Sequence, residues 1–202
     1  MMPMKISRWV ALLLTLVAVA FAAAQKKAAS GPTPSGSLAE SATSKLDYID
    51  RNGRQPKPNP KPTDLTEQEI NAYFDAGKAP LPRGVRNLHL TGDGGTVTGT
   101  ARVDFDELKE GRTSGNPLLA IFSGVHNVRV SALASGANRR GSVHVQSVEI
   151  DGVQIPRMAL EYFAGHYLKP KYPNVGLDST FVMPARIDTA VVGRHVLTIV
   201  QK

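Results

Sequence analysis

The chain of 202 residues contains no cysteine. Disulfides, thiolate metal sites, thiol catalysis and a lipid-modified cysteine behind the N-terminal apolar run are therefore all excluded, and an exported domain must stand on its core. Catalytic signatures are missing too. The five histidines, His89, His126, His144, His166 and His195, stand eighteen or more residues apart. They form neither HExxH nor HxH, so the usual metal-ligand spacing is absent. His126 and His144 are the two that a hairpin would bring together. Ser123 precedes Gly124 without the GxSxG elbow that exposes a nucleophile. The glycines of "GDGG", Gly92 to Gly95, open a strand rather than a helix. They read as a hairpin turn and not as a phosphate cradle. Asp104, Asp106, Glu107 and Glu110 crowd one strand end, which reads as a solvated turn rather than as two carboxylates facing across a cleft. No enzyme, cofactor or metal is expected, and no repeat of fixed period stands out.

The N-terminus is informative. Lys5 and Arg8 precede the sixteen apolar residues "WVALLLTLVAVAFAAA", which end in Ala22-Ala23-Ala24. Small residues before Gln25 fit signal peptidase, so residues 1–24 read as a signal peptide cleaved near Ala24-Gln25. A retained anchor is the alternative, but spanning a bilayer takes roughly 20 residues. The chain is thus expected in the periplasm or outside the cell.

The formal net charge is +7, which invites a nucleic-acid reading. Its location argues otherwise. Residues 25–62 carry seven basic and three acidic residues, whereas residues 63–202 carry fifteen and fourteen. A nucleic-acid-binding domain needs a basic face of its own, so no nucleic-acid partner is expected. The basic stretch fits plain solubility, with weak peripheral attraction to anionic headgroups or wall polymer as the alternative.

Residues 25–62 read as a flexible Pro/Lys-rich linker. "QKKAASGPTPSG" is poor in apolar residues, "LAESATSKLDYIDRNG" is compatible with a short helix, and "RQPKPNPKP" reads as a polyproline-II spacer. The domain is expected to span 63–202. It opens with a helix over 66–76, with Thr66 and Glu69 as a capping box and Leu65 and Ile70 as a staple. "TVTGTARVDF" and "NVRVSALA" alternate as antiparallel strands with one wet face. "SVHVQSVEI" changes phase between Val145 and Val148, which predicts a bulge or strong bend. "LDSTFVMPARI" and "HVLTIVQK" read as closing strands, with a break at Pro184.

Two apolar helical segments interrupt the strands. "NPLLAIFSG" has Asn116 as N-cap, Pro117 at the first position and Gly124 past its end. "RMALEYFAGHYL", a helix over 157–168, carries Met158, Tyr162, Phe163 and Tyr167 on one face and Leu160, Ala164 and Leu168 on another. Such helices either fill a core or line a groove for an apolar ligand.

The order of these stretches, from "LTEQEINAYF" through "TVTGTARVDF" and "GVQIPRMALEYF" to "FVMPARI", resembles that of small secreted bacterial envelope proteins similar to half-modules of the tubular lipid-binding (TULIP-like) superfamily. The resemblance covers about residues 63–202. It implies a curved sheet wrapped around a long helix, with acyl chains bound in the groove between them. This chain departs in having one module where larger members have two. The expected fold is α+β, a single domain with a strongly curved antiparallel sheet packed against the helices at 66–76 and 157–168. The expected function is binding of lipid or another apolar envelope molecule. The groove candidates are Leu118, Leu119, Ile121, Phe122, Met158, Tyr162, Phe163 and Tyr167, with Lys169 and Lys171 at a headgroup. The alternative is an envelope scaffold that holds a protein partner.

Overall fold

The structure, a computed structural model, describes residues 34–109, 120–170 and 176–202. The chain runs α1 (Pro34–Gly53), β1 (Thr63–Thr66), α2 (Glu67–Asp75), β2 (Val85–Asp93), β3 (Thr96–Asp104) and α3 (Phe105–Leu108). It continues through β4 (Val125–Ala137), β5 (Arg140–Ile150), β6 (Val153–Gln154) and α4 (Arg157–Phe163), which passes into a π-helical turn, Ala164–Leu168. It closes with β7 (Asp178–Val182), β8 (Ile187–Val192) and β9 (Val196–Gln201). The fold is α+β, as expected. One antiparallel sheet of nine strands has the order β1-β9-β8-β4-β3-β2, and β5 pairs with β4, β6 and β7.

β4 joins the two halves of the sheet. Its first nine residues pair with β3, and beyond the end of β3 its Gly136 pairs with Ala190 of β8. A side chain at Gly136 would stand 2.7 Å from Met183 Sδ and 3.0 Å from Ala190 Cβ, so only glycine lets these strands approach. The seam is sewn by Gly95 N–H to the Val192 carbonyl and His195 N–H to the Gly92 carbonyl, each 2.8 Å. Two bulges bend the sheet. Ser131 pairs with Ser147 but Ala132 with Val145, which leaves Gln146 as the extra residue where the sequence phase changes. The second lies at Asn87 and Leu88, between the pairs Arg86–Arg102 and His89–Thr100.

The start of the folded unit differs from the expectation. α1 is a twenty-residue helix, not a short piece in a flexible linker. Its stripe Ala39, Ala42, Leu46 and Ile49 is buried, and the last three join the main core with Leu65, Tyr73, Phe74 and the inward residues of the sheet. The alanines recur three residues apart, yet in sequence they look like linker composition. Burial against a sheet is what makes them core. The helix is fastened by Glu69 of α2, which receives Lys45 Nζ (2.8 Å) and Ser41 Oγ (2.5 Å). The same carboxylate completes the capping box with Thr66. Residues 63–66, read as the approach to a helix, instead form β1 against β9.

The edge of β2 is closed by α2. The Asn71 side chain donates to the Leu90 carbonyl (2.9 Å) and accepts the Leu90 N–H (2.8 Å), while Glu67 accepts the Gly92 N–H (3.2 Å). A side-chain amide thus stands where another strand would pair. A second cluster, Val85, Val103, Phe105, Phe122, Ile150, Ile155, Ala159, Phe163 and Tyr167, lies under α4. Leu81, Ala101, Val128 and Leu160 touch both clusters.

Candidate functional site

α4 begins at Pro156, whose carbonyl accepts from Ala159 and Leu160 N–H. Ala159, Phe163, Ala164 and Tyr167 form its buried face. The π-turn, closed by Lys169 N–H to the Ala164 carbonyl at 2.8 Å, widens the helix. It keeps Tyr167 beneath Phe163, at 5.2 Å between ring centres. Phe163 stacks on Phe122 (4.3 Å), and Phe105 meets both rings edge-on at 5.5 and 5.8 Å. Such offset and T-shaped pairs are the favoured aromatic geometries.

The groove candidates therefore separate. Phe122, Phe163 and Tyr167 fill the second cluster. Met158 (66 % exposed), Tyr162 (43 %) and Ile121 (39 %) point outward, and Lys169 is exposed. The single face drawn through Met158, Tyr162, Phe163 and Tyr167 is corrected. At about 100° per residue, the arc centred on Ala159 and Phe163 leaves Met158 and Tyr162 on the flank. Leu118, Leu119 and Lys171 lie outside the described residues, as does the first half of the expected helix at 116–124. Residues 120–124 are turn and bend rather than helix.

The apolar interior holds voids of about 60 Å³, beside Leu65, Ile70 and Phe74, and about 20 Å³, beside Phe181 and Met183. Even benzene needs a cavity of roughly 150 Å³. A larger, polar concavity of about 570 Å³ lies on the outer face of the sheet, around Thr100, Arg102 and Arg129. No residue-type motif announced it, because its members come from three strands, the bulge of β2 and the turn after β5.

The histidines do not converge, and no group of three metal-capable side chains forms among the described residues. His126 sits at one end of β4, and His144 pairs with Leu133 near the other. His126 Nδ1 lies 2.6 Å from Asp151 Oδ2 and Nε2 lies 2.7 Å from the Ser123 carbonyl. Both partners are acceptors, an arrangement that favours the doubly protonated ring. The Asp151 bond, then the Ser123 bond, hold its pKa above the ordinary value. His144 contacts Asp178, which also receives Arg157 at 2.5 Å. His195 contacts Glu67 at 2.8 Å. Burial opposes ionisation of Glu67, but the bonds from His195 and Gly92 outweigh it and lower its pKa. None of these pairs addresses a serine or threonine nucleophile. Of the carboxylates of the polar turn, Glu110 lies outside the described residues, and the other three are engaged within the domain. Asp104 accepts from Asp106 and Glu107 N–H, Asp106 from Gly124 N–H, and Glu107 from Arg86.

No family model, curated protein or solved structure matches the chain. Among the described residues, no helix is long and apolar enough to cross a membrane.

Proposed function

We propose that the protein is a non-enzymatic binding module of the cell envelope that engages a lipid surface through the outer flank of α4. The observation that carries the reading is the exposure of Met158 and Tyr162 on a helix whose opposite face is anchored in a four-ring aromatic cluster. Ile121 is exposed too, one residue from Phe122, which stacks on Phe163 of that helix. His166 and Lys169 are exposed on the same helix. A tyrosine with a cation behind it suits the boundary between headgroups and acyl chains.

Apolar voids of only about 60 and 20 Å³ among the described residues favour a ligand at the surface over one in an internal groove. Full burial of an apolar side chain is worth about 1.5–3 kcal/mol, and a lysine near an anionic surface about 1 kcal/mol. Three partly exposed apolar side chains and one lysine support reversible attachment, not permanent insertion. The apolar run at residues 9–24 and the resemblance to tubular lipid-binding proteins favour the same partner. The rival, a protein strand added to the sheet, meets a β2 edge already occupied by Asn71 and Glu67.

Co-sedimentation with vesicles tests the reading. A chain begun at Gln25 keeps every described residue and lacks the N-terminal apolar run. It should pellet with vesicles of phosphatidylcholine and phosphatidylglycerol. Met158→Glu with Tyr162→Glu should weaken this by at least about tenfold, since each substitution removes an apolar contact and adds an anion. No pelleting, or pelleting indifferent to both substitutions, refutes the proposal.

A further inference from the structure

We propose that the outer face of the sheet carries a binding site for a phosphate or carboxylate group borne on a hydroxyl-rich ligand, with Arg102 as its anchor. The site is distinct from the flank of α4, and either can fail without the other.

Strand pairing assembles it. Arg86 stands opposite Arg102, and Arg102 opposite Asn127. One row on, Thr100 stands opposite Arg129, and Arg129 opposite Glu149. The concavity of about 570 Å³ has Asn87, Thr100, Arg102, Asn127, Arg129, Glu149 and Asp151 on its walls. A second of about 380 Å³ shares Asn87 and Arg102 and reaches Arg86 and Asp104. Binding pockets typically measure roughly 300–1,000 Å³. This one has polar walls, with Ala101, Val128 and Gly152 as its only apolar lining, so its ligand is polar.

The charges are unevenly satisfied. Arg86 is paired with Glu107 at 2.9 Å, and Arg129 reaches Glu149 only at 3.8 Å. Arg102 has no carboxylate within ion-pair distance among the described residues. The other nearby acids, Asp104 and the wall residue Asp151, are engaged elsewhere. Asp104 caps α3, and Asp151 binds His126 and the Asn127 N–H. Like charges directly opposite on a sheet repel, and the Arg86–Arg102 pair is such a juxtaposition. An anion lying on Arg102 relieves that repulsion, and a guanidinium offers it two parallel donors.

Asn87 is the second pointer. It occupies a bulge with φ of 52°, a left-handed conformation that is uncommon outside glycine. Bulges next to binding sites re-aim side chains. The side chains of Asn87 and Thr100 have no hydrogen-bond partner within the described chain. An amide and a hydroxyl on either side of a free guanidinium match hydroxyl groups next to an anion.

The test is a titration of the full chain, held in non-ionic detergent and observed by ¹H–¹⁵N NMR at constant ionic strength. The probes are inorganic phosphate, glycerol 3-phosphate and glucose 6-phosphate. Saturable shifts are expected at the amides of Asn87, Thr100, Arg102 and Asn127, and at least one of the two hydroxylated probes should bind more tightly than inorganic phosphate. Preference for glycerol 3-phosphate identifies a lipid headgroup as the source, and preference for glucose 6-phosphate a saccharide. Arg102→Gln should weaken binding by about tenfold or more, the worth of a hydrogen bond to a charged group. The same substitution should leave the unfolding midpoint unchanged or raised, because it removes a like-charge neighbour. Arg194→Gln, in the β8–β9 turn, should bind as the parent does. Shifts that never saturate, inorganic phosphate binding as tightly as both other probes, or an Arg102→Gln variant that binds normally would overturn the proposal.

Discussion

Replacing Gln201 with leucine should cost the protein a large part of its stability, although the two side chains are similar in size. Gln201 is 3 % exposed at the end of the last strand. Its Nε2 donates to the carbonyls of Ile49 (2.8 Å) and Ala185 (2.6 Å), and its Oε1 accepts from Asn52 Nδ2 at 2.8 Å. Asn52 in turn donates to the Asn59 carbonyl (2.9 Å) and accepts the Asn59 N–H (2.8 Å). This buried network ties the end of α1 and the proline-rich segment after it to β9. Leucine strips the partner from two carbonyls and one of the two acceptors from the Asn52 amide. An orphaned buried polar group costs about 1–3 kcal/mol. The added apolar burial offsets part of that, which leaves a net loss of about 2–4 kcal/mol. Against a typical total of roughly 5–15 kcal/mol this is a substantial fraction. Urea unfolding followed by circular dichroism measures it. With a slope of about 1–3 kcal/mol per molar, the midpoint should fall by about 1–2 M. Asn52→Ala combined with Gln201→Leu should be less harmful than the two separate losses added together, by about 0.5–3 kcal/mol. A loss below about 1 kcal/mol, or strict additivity, would refute the idea that α1 is locked into the domain through this network.

Gly53→Ala should also destabilise, by about 1–3 kcal/mol in the same assay, because the new Cβ would stand 2.2 Å from the Ala185 carbonyl oxygen. Phe122→Ala removes a ring that is 1 % exposed and should cost about 3–5 kcal/mol. Burial opposes ionisation of Glu69, yet the bonds from Lys45, Ser41 and Thr66 prevail and bring its pKa down to about 2 from 4.5. Its contribution is therefore present above pH 4.5 and lost as pH falls through about 2, so the stability gap between the parent and Glu69→Gln should close across that window. His126 has the opposite sign. Its pKa is raised above 6.5 by Asp151 and the Ser123 carbonyl, so its contribution is full below that value and fades as pH rises through the raised one. His126→Ala should thus cost more stability at about pH 6 than at about pH 9, and an NMR titration of the ring should give the raised midpoint directly.

Local patterns were legible wherever they needed only near neighbours. Thr66 and Glu69 announce the cap of α2 because both partners lie within one turn. The phase change between Val145 and Val148 announces the bulge at Gln146, since alternation along a strand is set by the pleat. α1 was underestimated because its core face is largely alanine, and alanine reads as core only when a neighbour is present to cover it. Which side of α4 faces inward escaped the reading of the helix alone. Every side of that helix carries apolar residues, and the choice is made by Phe105 and Phe122, which arrive from distant segments.

Residues and their spacing were enough to determine an α+β domain of alternating strands, the capping of its second helix and the absence of any thiol. Those conclusions rest on composition and on interactions within a few residues. The tertiary structure alone decided, among the described residues, that the apolar voids around the main core are small, that Met158 and Tyr162 look outward, and that Arg102 lies opposite Arg86 with no carboxylate of its own. Each depends on which side chains reach the same space, and for Arg102 on strand register, since a one-residue slip would turn its side chain to the opposite face.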